Sequence, residues 1–327
     1  MSKRLWALLA LLFIAAAGFM LIGAVGNWDF LLGFRGARLA ALILVGAALS
    51  VATVLFQTIT GNRILTPSIL GFDALFVLIL SLQVWAFGAA GRAMISATVL
   101  FALNAALMAA LGLGLFAILR RGGRGDMIKL VLCGVVLGIL IRSVASFLQR
   151  MIDPSEFQTV QAASFARFTY VETLPLMLSI AVALPVLAGA WAMRHRLDIL
   201  ALGPDVAISL GEDPHKGQQH ALVLICLLVA SSTALAGPIS AGMSGPSSFF
   251  GLIVSALAYR FLPVPHHSVL LPGAALIGAI TLVAGQTIME RLFALNTPLP
   301  VVIELVGGLF FLALVLGQVR AARKVGV

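Results

Sequence analysis

The sequence predicts an all-α polytopic membrane protein of about ten transmembrane helices, short or re-entrant ones among them, with both termini in the cytoplasm. Three observations carry this. Hydrophobic residues make up 61% of the chain and charged residues only 10%, where a soluble domain carries about 25% charged; mean hydropathy is +1.11. A chain of 327 residues so poor in charge cannot cover its own core with polar surface, so lipid must solvate it. Apolar stretches also recur along the whole length. Most approach the roughly 20 residues that a helix needs to cross a hydrocarbon core of about 30 Å. Finally, the basic residues fall on one side when these stretches are threaded back and forth.

The stretches run in order at 5–25, 39–58, 74–90, 94–118, 129–149, 174–193, 219–237, 249–262, 271–289 and 300–318. The first follows Lys3 and Arg4 and carries small residues at Ala15, Ala16, Ala17 and Gly18, a pattern shared with secretory signals. Its length suffices to span, and more membrane follows, so it is read as a retained first span. The outer connection 150–172 is the longest, and "MIDPSEFQTVQAASFARF" suits a surface helix. The stretch 249–262 is short and follows "GPISAGMSGPSS". It reads as a partial or re-entrant helix, tolerable only where protein surrounds it. No soluble domain interrupts the pattern, which makes 1–327 one transmembrane domain.

The formal charge of +9 follows from the same topology and not from nucleic-acid binding. With the N-terminus inside, fourteen of the 21 Lys and Arg fall in inner segments, all the lysines included. Six lie in outer segments, and Arg142 falls within a span. Such a bias marks the cytoplasmic side. Cys133 and Cys226 lie in apolar stretches without metal or redox spacing and read as packing residues.

Chemistry within the chain is sparse. The G-x-x-x-x-G-K-[ST] string that cradles nucleotide phosphates is absent from the sequence, so any ATP-driven work falls to another chain. Gln57, Asp73, Arg142, Glu172, Gln286 and Glu304 lie in or near spans, where ionisable groups are costly. Only Arg142 and Glu304 are deep, and two isolated charges make a poor proton relay. His266 and His267 form a polar turn without neighbouring ligands in sequence, and no metal site is expected. An embedded enzyme would need convergent polar residues at one depth, and no catalytic set emerges. The alternatives are therefore an ATP-driven transporter and an ion-coupled secondary transporter.

One segment fits no span: "LDILALGPDVAISLG", 197–211. Pro204 suits the first turn of a helix and Gly211 its end. Val206, Ala207 and Leu210 form one apolar face. A helix this short is marginal in water alone, so it needs a surface: lipid or a partner protein.

The pattern L-G-x-x-x-A-x-x-L-G at Leu202, Gly203, Ala207, Leu210 and Gly211 resembles the cytoplasmic coupling segment of FecCD-type permeases. These are the membrane subunits of bacterial importers for iron–siderophore complexes, haem and vitamin B12. "RGARLAALILVGAALSVATVLFQ", "NRILTPSILGFDALFVL", "TALAGPIS…SFFGLIVSALAYRF" and "RLFALNTPLPVVIELVGG" are similar to further family motifs in the same order. Ser255 and Ala256 replace the usual Pro-His, "AGMSGPS" at 241–247 looks like an insertion, and the region of Pro300 lacks a usual glycine.

The resemblance implies a permease subunit of an ATP-binding-cassette importer in the bacterial inner membrane, working by alternating access. Ferric siderophores of the catecholate or mixed type are the implied cargo, with haem or vitamin B12 as alternatives. Implied partners are an ATPase subunit, which binds ATP and Mg²⁺ and is gripped through Leu202, Gly203, Pro204, Asp205, Ala207, Leu210 and Gly211. A periplasmic or lipoprotein substrate-binding protein is implied to dock on Arg35, Arg38 and Arg291. A second copy or a related permease completes the assembly. The chain itself is implied to bind no cofactor and to be no enzyme.

Overall fold

A computed structural model of the chain describes residues 3–24, 28–121, 127–239, 249–262, 266–291, 299–309 and 312. The suggested insertion at 241–247 lies outside them. The helices are α1 (Lys3–Leu21), α2 (Trp28–Thr60), α3 (Phe72–Met94), α4 (Ala97–Arg121), α5 (Met127–Met151), α6 (Pro154–Ala163), α7 (Thr173–Ala192), α8 (Arg194–Leu200), α9 (Pro204–Ser209), α10 (Pro214–Ala236), α11 (Phe249–Phe261) and α12 (His267–Arg291). A final helix, α13, covers Leu299–Leu309. Among the described residues, eight helices are long and apolar enough to cross a membrane, and α11 and α13 are shorter apolar helices. Each predicted stretch thus has its helix, and the short one is α11. The surface helix expected in 150–172 is α6.

Burial separates centre from periphery. In the most apolar window of α2, 72% of residues are buried, against 11% in α1 and 17% in α5. The central α2 packs against α12, α10, α7 and α11, while α1 lies outside on α12. Close approach explains the tight α2–α12 pairing: a Cβ on Gly46 would come within 2.6 Å of the Gly278 carbonyl oxygen. In lipid, helices associate through such backbone-to-backbone packing, because tails are as apolar as the side chains.

Two departures from the expected spans have physical causes. Helix α2 begins at Trp28, well before the apolar run at 39, and takes Arg35 and Arg38 into the helix. Both guanidinium groups find acceptors inside the protein, which removes the need for an exposed loop there. Helix α3 is kinked at Gly88, whose φ is 68°. There the Ala89 N–H donates to Glu156 Oε1 of α6 over 3.0 Å. A kink in lipid is tolerable when the backbone groups it releases are satisfied by protein.

Hydrogen bonds fix which helix ends share a side. The Arg4 Nη1–H donates to the Phe261 carbonyl over 2.9 Å, joining the start of α1 to the end of α11. Thr58, near the end of α2, meets His267, which opens α12. These termini, with α8 and α9, form one end of the bundle; α6, Arg35 and Arg38 lie at the other. The alternation of basic residues predicts this grouping.

Gly278→Val should force α2 and α12 apart and cost about 1–3 kcal/mol, the usual range for overpacking, read as a lower melting temperature in detergent. A Cβ on Gly36 of α2 meets nothing within 4 Å, so Gly36→Ala should be neutral or raise stability by up to about 1 kcal/mol through helix propensity. Equal melting temperatures for Gly278→Val and the wild type would refute the tight crossing.

Candidate functional site

Helices α8 and α9 make a compact projection at one end of the bundle. Gly203, with φ 97°, turns the chain between them, and Pro204 opens α9. At the other end Gly211 takes φ 82°. Its N–H donates to the Ile208 carbonyl and the Glu212 N–H to the Ala207 carbonyl, both over 2.9 Å. This paired closure satisfies carbonyls that a helix end would otherwise leave open, and it favours glycine at the left-handed position. Arg196 then ties the projection shut: its Nε–H donates to Glu212 Oε1 over 2.8 Å, and Nη2 lies 2.6 Å from the same oxygen.

The apolar face differs from the one predicted. Ala207 is fully buried and is the anchor of α9, whereas Val206 (45% exposed) and Leu210 (59%) point outward. Leu202 and Ile208 join them at 60% and 63% exposure. Pro204 and Asp205 are exposed in the first turn of α9, and Gly203 is half-buried. Helix α9 therefore rests on one small residue, beside Leu197 and Leu200 of α8, which are buried in the core, and the segment presents a row of four large apolar residues.

Its attachment to the bundle also has a polar part, which was not legible in the sequence. Asp198 of α8 accepts from the His267 backbone N–H over 2.7 Å and from the His267 Nδ1–H over 2.6 Å. His266 Nδ1 stands 3.5 Å from its second oxygen. On the far side of the ring, Nε2 is 2.8 Å from Thr58 Oγ1, and that hydroxyl also lies within hydrogen-bond distance of the Val54 carbonyl. His267 is 3% exposed, so the expected polar turn holds one exposed and one buried histidine. Beside this network lies a cavity of about 560 Å³ lined in part by Gln57, Arg63, Tyr259 and Leu202. Gln57 donates to the Arg63 carbonyl and Ser255 Oγ; its buried Oε1 has no partner among the described residues. Among the described residues no group of three or more His, Cys, Asp or Glu has an arrangement that could hold a metal.

At the opposite end, Arg35 and Arg38 are 4% and 5% exposed. Arg35 caps α1: Nη1–H donates to the Met20 carbonyl over 2.7 Å and to that of Ile22 over 3.1 Å, and Nη2–H to that of Gly23 over 2.7 Å. A cation suits a helix C-terminus. Arg38 pairs with Glu290 of α12, donates to the Phe168 carbonyl and lies 5.5 and 5.4 Å from the Phe19 and Phe34 ring centroids. Gln286 Nε2–H donates to the same Glu290. Arg142 and Glu304 are half-buried on α5 and α13. The side chain of Arg291 lies outside the described residues.

Burial pushes the Asp198 carboxyl up, but the hydrogen bonds from the His267 backbone and ring, with His266, outweigh it and hold the group below the usual carboxylate range. Because the folded value is the lower one, this carboxylate stabilises the fold above the ordinary carboxylate pKa and loses that contribution as pH falls through the lowered value. Asp198→Asn should therefore flatten the fall in melting temperature below about pH 4. An acid limb of unchanged slope would refute the assignment.

Comparison with known proteins agrees with this architecture. The FecCD transport family profile matches residues 5–317. The petrobactin import system permease protein YclO of Bacillus subtilis is 39% identical over 312 residues, covering 95% of this chain and 96% of the relative. The petrobactin import system permease protein FatC of Bacillus anthracis is 31% identical, covering 86% and 77%. A solved inward-facing conformation of a chain assigned as a metal-chelate type ABC transporter superposes with a TM-score of 0.80 at 23% identity, over 96% of this chain and 98% of that one; it supports the fold. The chain belongs to the FecCD transport family.

Proposed function

We propose that this chain is the permease subunit of an ATP-binding-cassette importer that carries ferric-siderophore complexes, of the kind named for its petrobactin relatives, across the bacterial inner membrane. The observation that carries the proposal is the exposed row Leu202, Val206, Ile208 and Leu210 on a projection too short to span and too well closed to be a loose loop. Apolar side chains in such a row favour burial against a protein surface by about 25 cal/mol per Å² of area covered. An ATPase subunit holding ATP and Mg²⁺ supplies that surface. Its closure pushes α8–α9 and reorients the spans, while this chain performs no catalysis.

The substrate-binding protein docks at the opposite end, with Arg35, Arg38 and Arg291 as the expected carriers. Because Arg35 and Arg38 are engaged within the chain, an arriving carboxylate competes with Glu290 for Arg38. Charge complementarity of this kind acts mainly on encounter and orientation. A second copy or a related permease completes the pathway.

Leu210→Asp places a charge in the proposed ATPase contact. It should abolish ATP-dependent uptake of ferric petrobactin into vesicles, by about tenfold or more, while membrane insertion is unchanged. Normal uptake by the variant would sink the docking role. Uptake by the wild type that persists without ATP and collapses with an ionophore would favour ion coupling. Preferential uptake of haemin or vitamin B12 would overturn the cargo.

A further inference from the structure

The segment α8–α9 continues covalently into α10 through Asp213, which caps that helix by accepting from the His215 and Lys216 N–H groups. Movement of the projection therefore reaches α10 directly. It has no such continuity with α2 or α12, the pair at the centre of the bundle. Beside the apolar packing of α8 on both helices, what joins it to them directionally is the chain of bonds from Asp198 through the His267 ring to Thr58. We propose that Asp198, His267 and Thr58 form a clasp through which displacement of α8–α9 is transmitted to α2 and α12, making them positioning residues for transport. The inference rests on the coupling role proposed above.

Four features converge on it. Each residue sits where leverage is greatest: Asp198 within α8, His267 as the first residue of α12, and Thr58 in the last turn of α2. Both ring nitrogens of His267 are engaged, one on each neighbour, so the imidazole cannot turn without breaking a bond. His267 and Thr58 are 3% and 7% exposed. Water does not readily replace a lost partner there, and an unmade buried hydrogen bond is costly. The projection is itself closed by Arg196–Glu212 and by the turn at Gly211, so a push on α9 moves Asp198 instead of being absorbed.

The surroundings give the clasp both a fulcrum and room. Gly46 and Gly278 hold α2 and α12 together along their length, so tilting one cytoplasmic end carries the other helix with it. The cavity of about 560 Å³ borders Asp198, His267 and Thr58 on one side. Its polar lining accepts water, and its volume lets α8 shift without a clash against packed side chains.

The test uses the whole complex, permease with ATPase and binding protein, reconstituted in proteoliposomes with ferric petrobactin as probe. The readout is ATP hydrolysed per chelate carried. Coupling between sites typically corresponds to factors of about 5 to 150. Thr58→Val, which keeps the volume and removes the hydroxyl, should raise the ratio about tenfold. Thr58→Ser, which keeps the hydroxyl, should stay within about twofold of the wild type. Asp198→Ala should match Thr58→Val, and Asp198→Asn, which retains an acceptor, should fall between. A wild-type ratio in both Thr58→Val and Asp198→Ala would overturn the clasp. So would a Thr58→Ser ratio as high as that of Thr58→Val, since packing and not the hydroxyl would then be responsible. If the unaltered chain showed no ATP-dependent uptake, the importer reading would fall, and the clasp with it.

Discussion

The antiparallel pairing of α2 with α12 is the contact on which the rest of the bundle depends. It is made at three depths by three different chemistries. At the outer end Arg38 pairs with Glu290; in the middle Gly46 meets Gly278 through backbone; at the inner end Thr58 meets His267. Arg38 and Thr58 are about 30 Å apart along α2 at 1.5 Å per residue, roughly the thickness of a hydrocarbon core. The pair is thus stitched at both membrane boundaries and in between. A buried ion pair adds little net stability against a well-packed apolar alternative. Its effect here is geometric, setting the rotation of α2 against α12.

The same accounting governs the polar groups that the bilayer would otherwise punish. The carbonyls at the end of α1 go to Arg35, the amide freed at the Gly88 kink goes to Glu156, and Gln57 Nε2 is shared between the Arg63 carbonyl and Ser255. Side chains at these positions look misplaced in an apolar sequence. In the fold, most of them repair a break in backbone bonding or join two helices. The cost of unsatisfied groups in hydrocarbon explains why arginines that could have sat in a loop lie inside α2.

Much of this was legible in the sequence. Ten apolar stretches, the inward bias of Lys and Arg, and a short α11 follow from hydropathy and charge, because lipid imposes length and sidedness on each helix separately. The projection was legible too, since Pro204 and Gly211 mark its ends by local backbone preference. Pairwise contacts were not. Asp198 and His267 are distant in sequence, so nothing local marked the histidine as buried. Val206 and Leu210 share a face by helical spacing. Which face turns inward depends on what α9 rests upon, and that is decided by tertiary contacts of Ala207. Likewise Arg35 and Arg38 read as exposed cations until the fold supplied their acceptors, the end of α1 for Arg35 and Glu290 with the Phe168 carbonyl for Arg38.

The closed turn at Gly211 has a further consequence, for the entropy of association. A flexible segment must be ordered when it is gripped, at about 0.5–1.5 kcal/mol for each rotamer-rich side chain immobilised, and loop ordering adds to this. Here the backbone of 203–212 is already held by its own hydrogen bonds and by Arg196–Glu212, so only the side chains of the exposed row remain to be fixed. A socket of matching shape would meet a pre-shaped plug. More of the contact energy would then be free to do mechanical work on the bundle instead of being consumed in folding the handle.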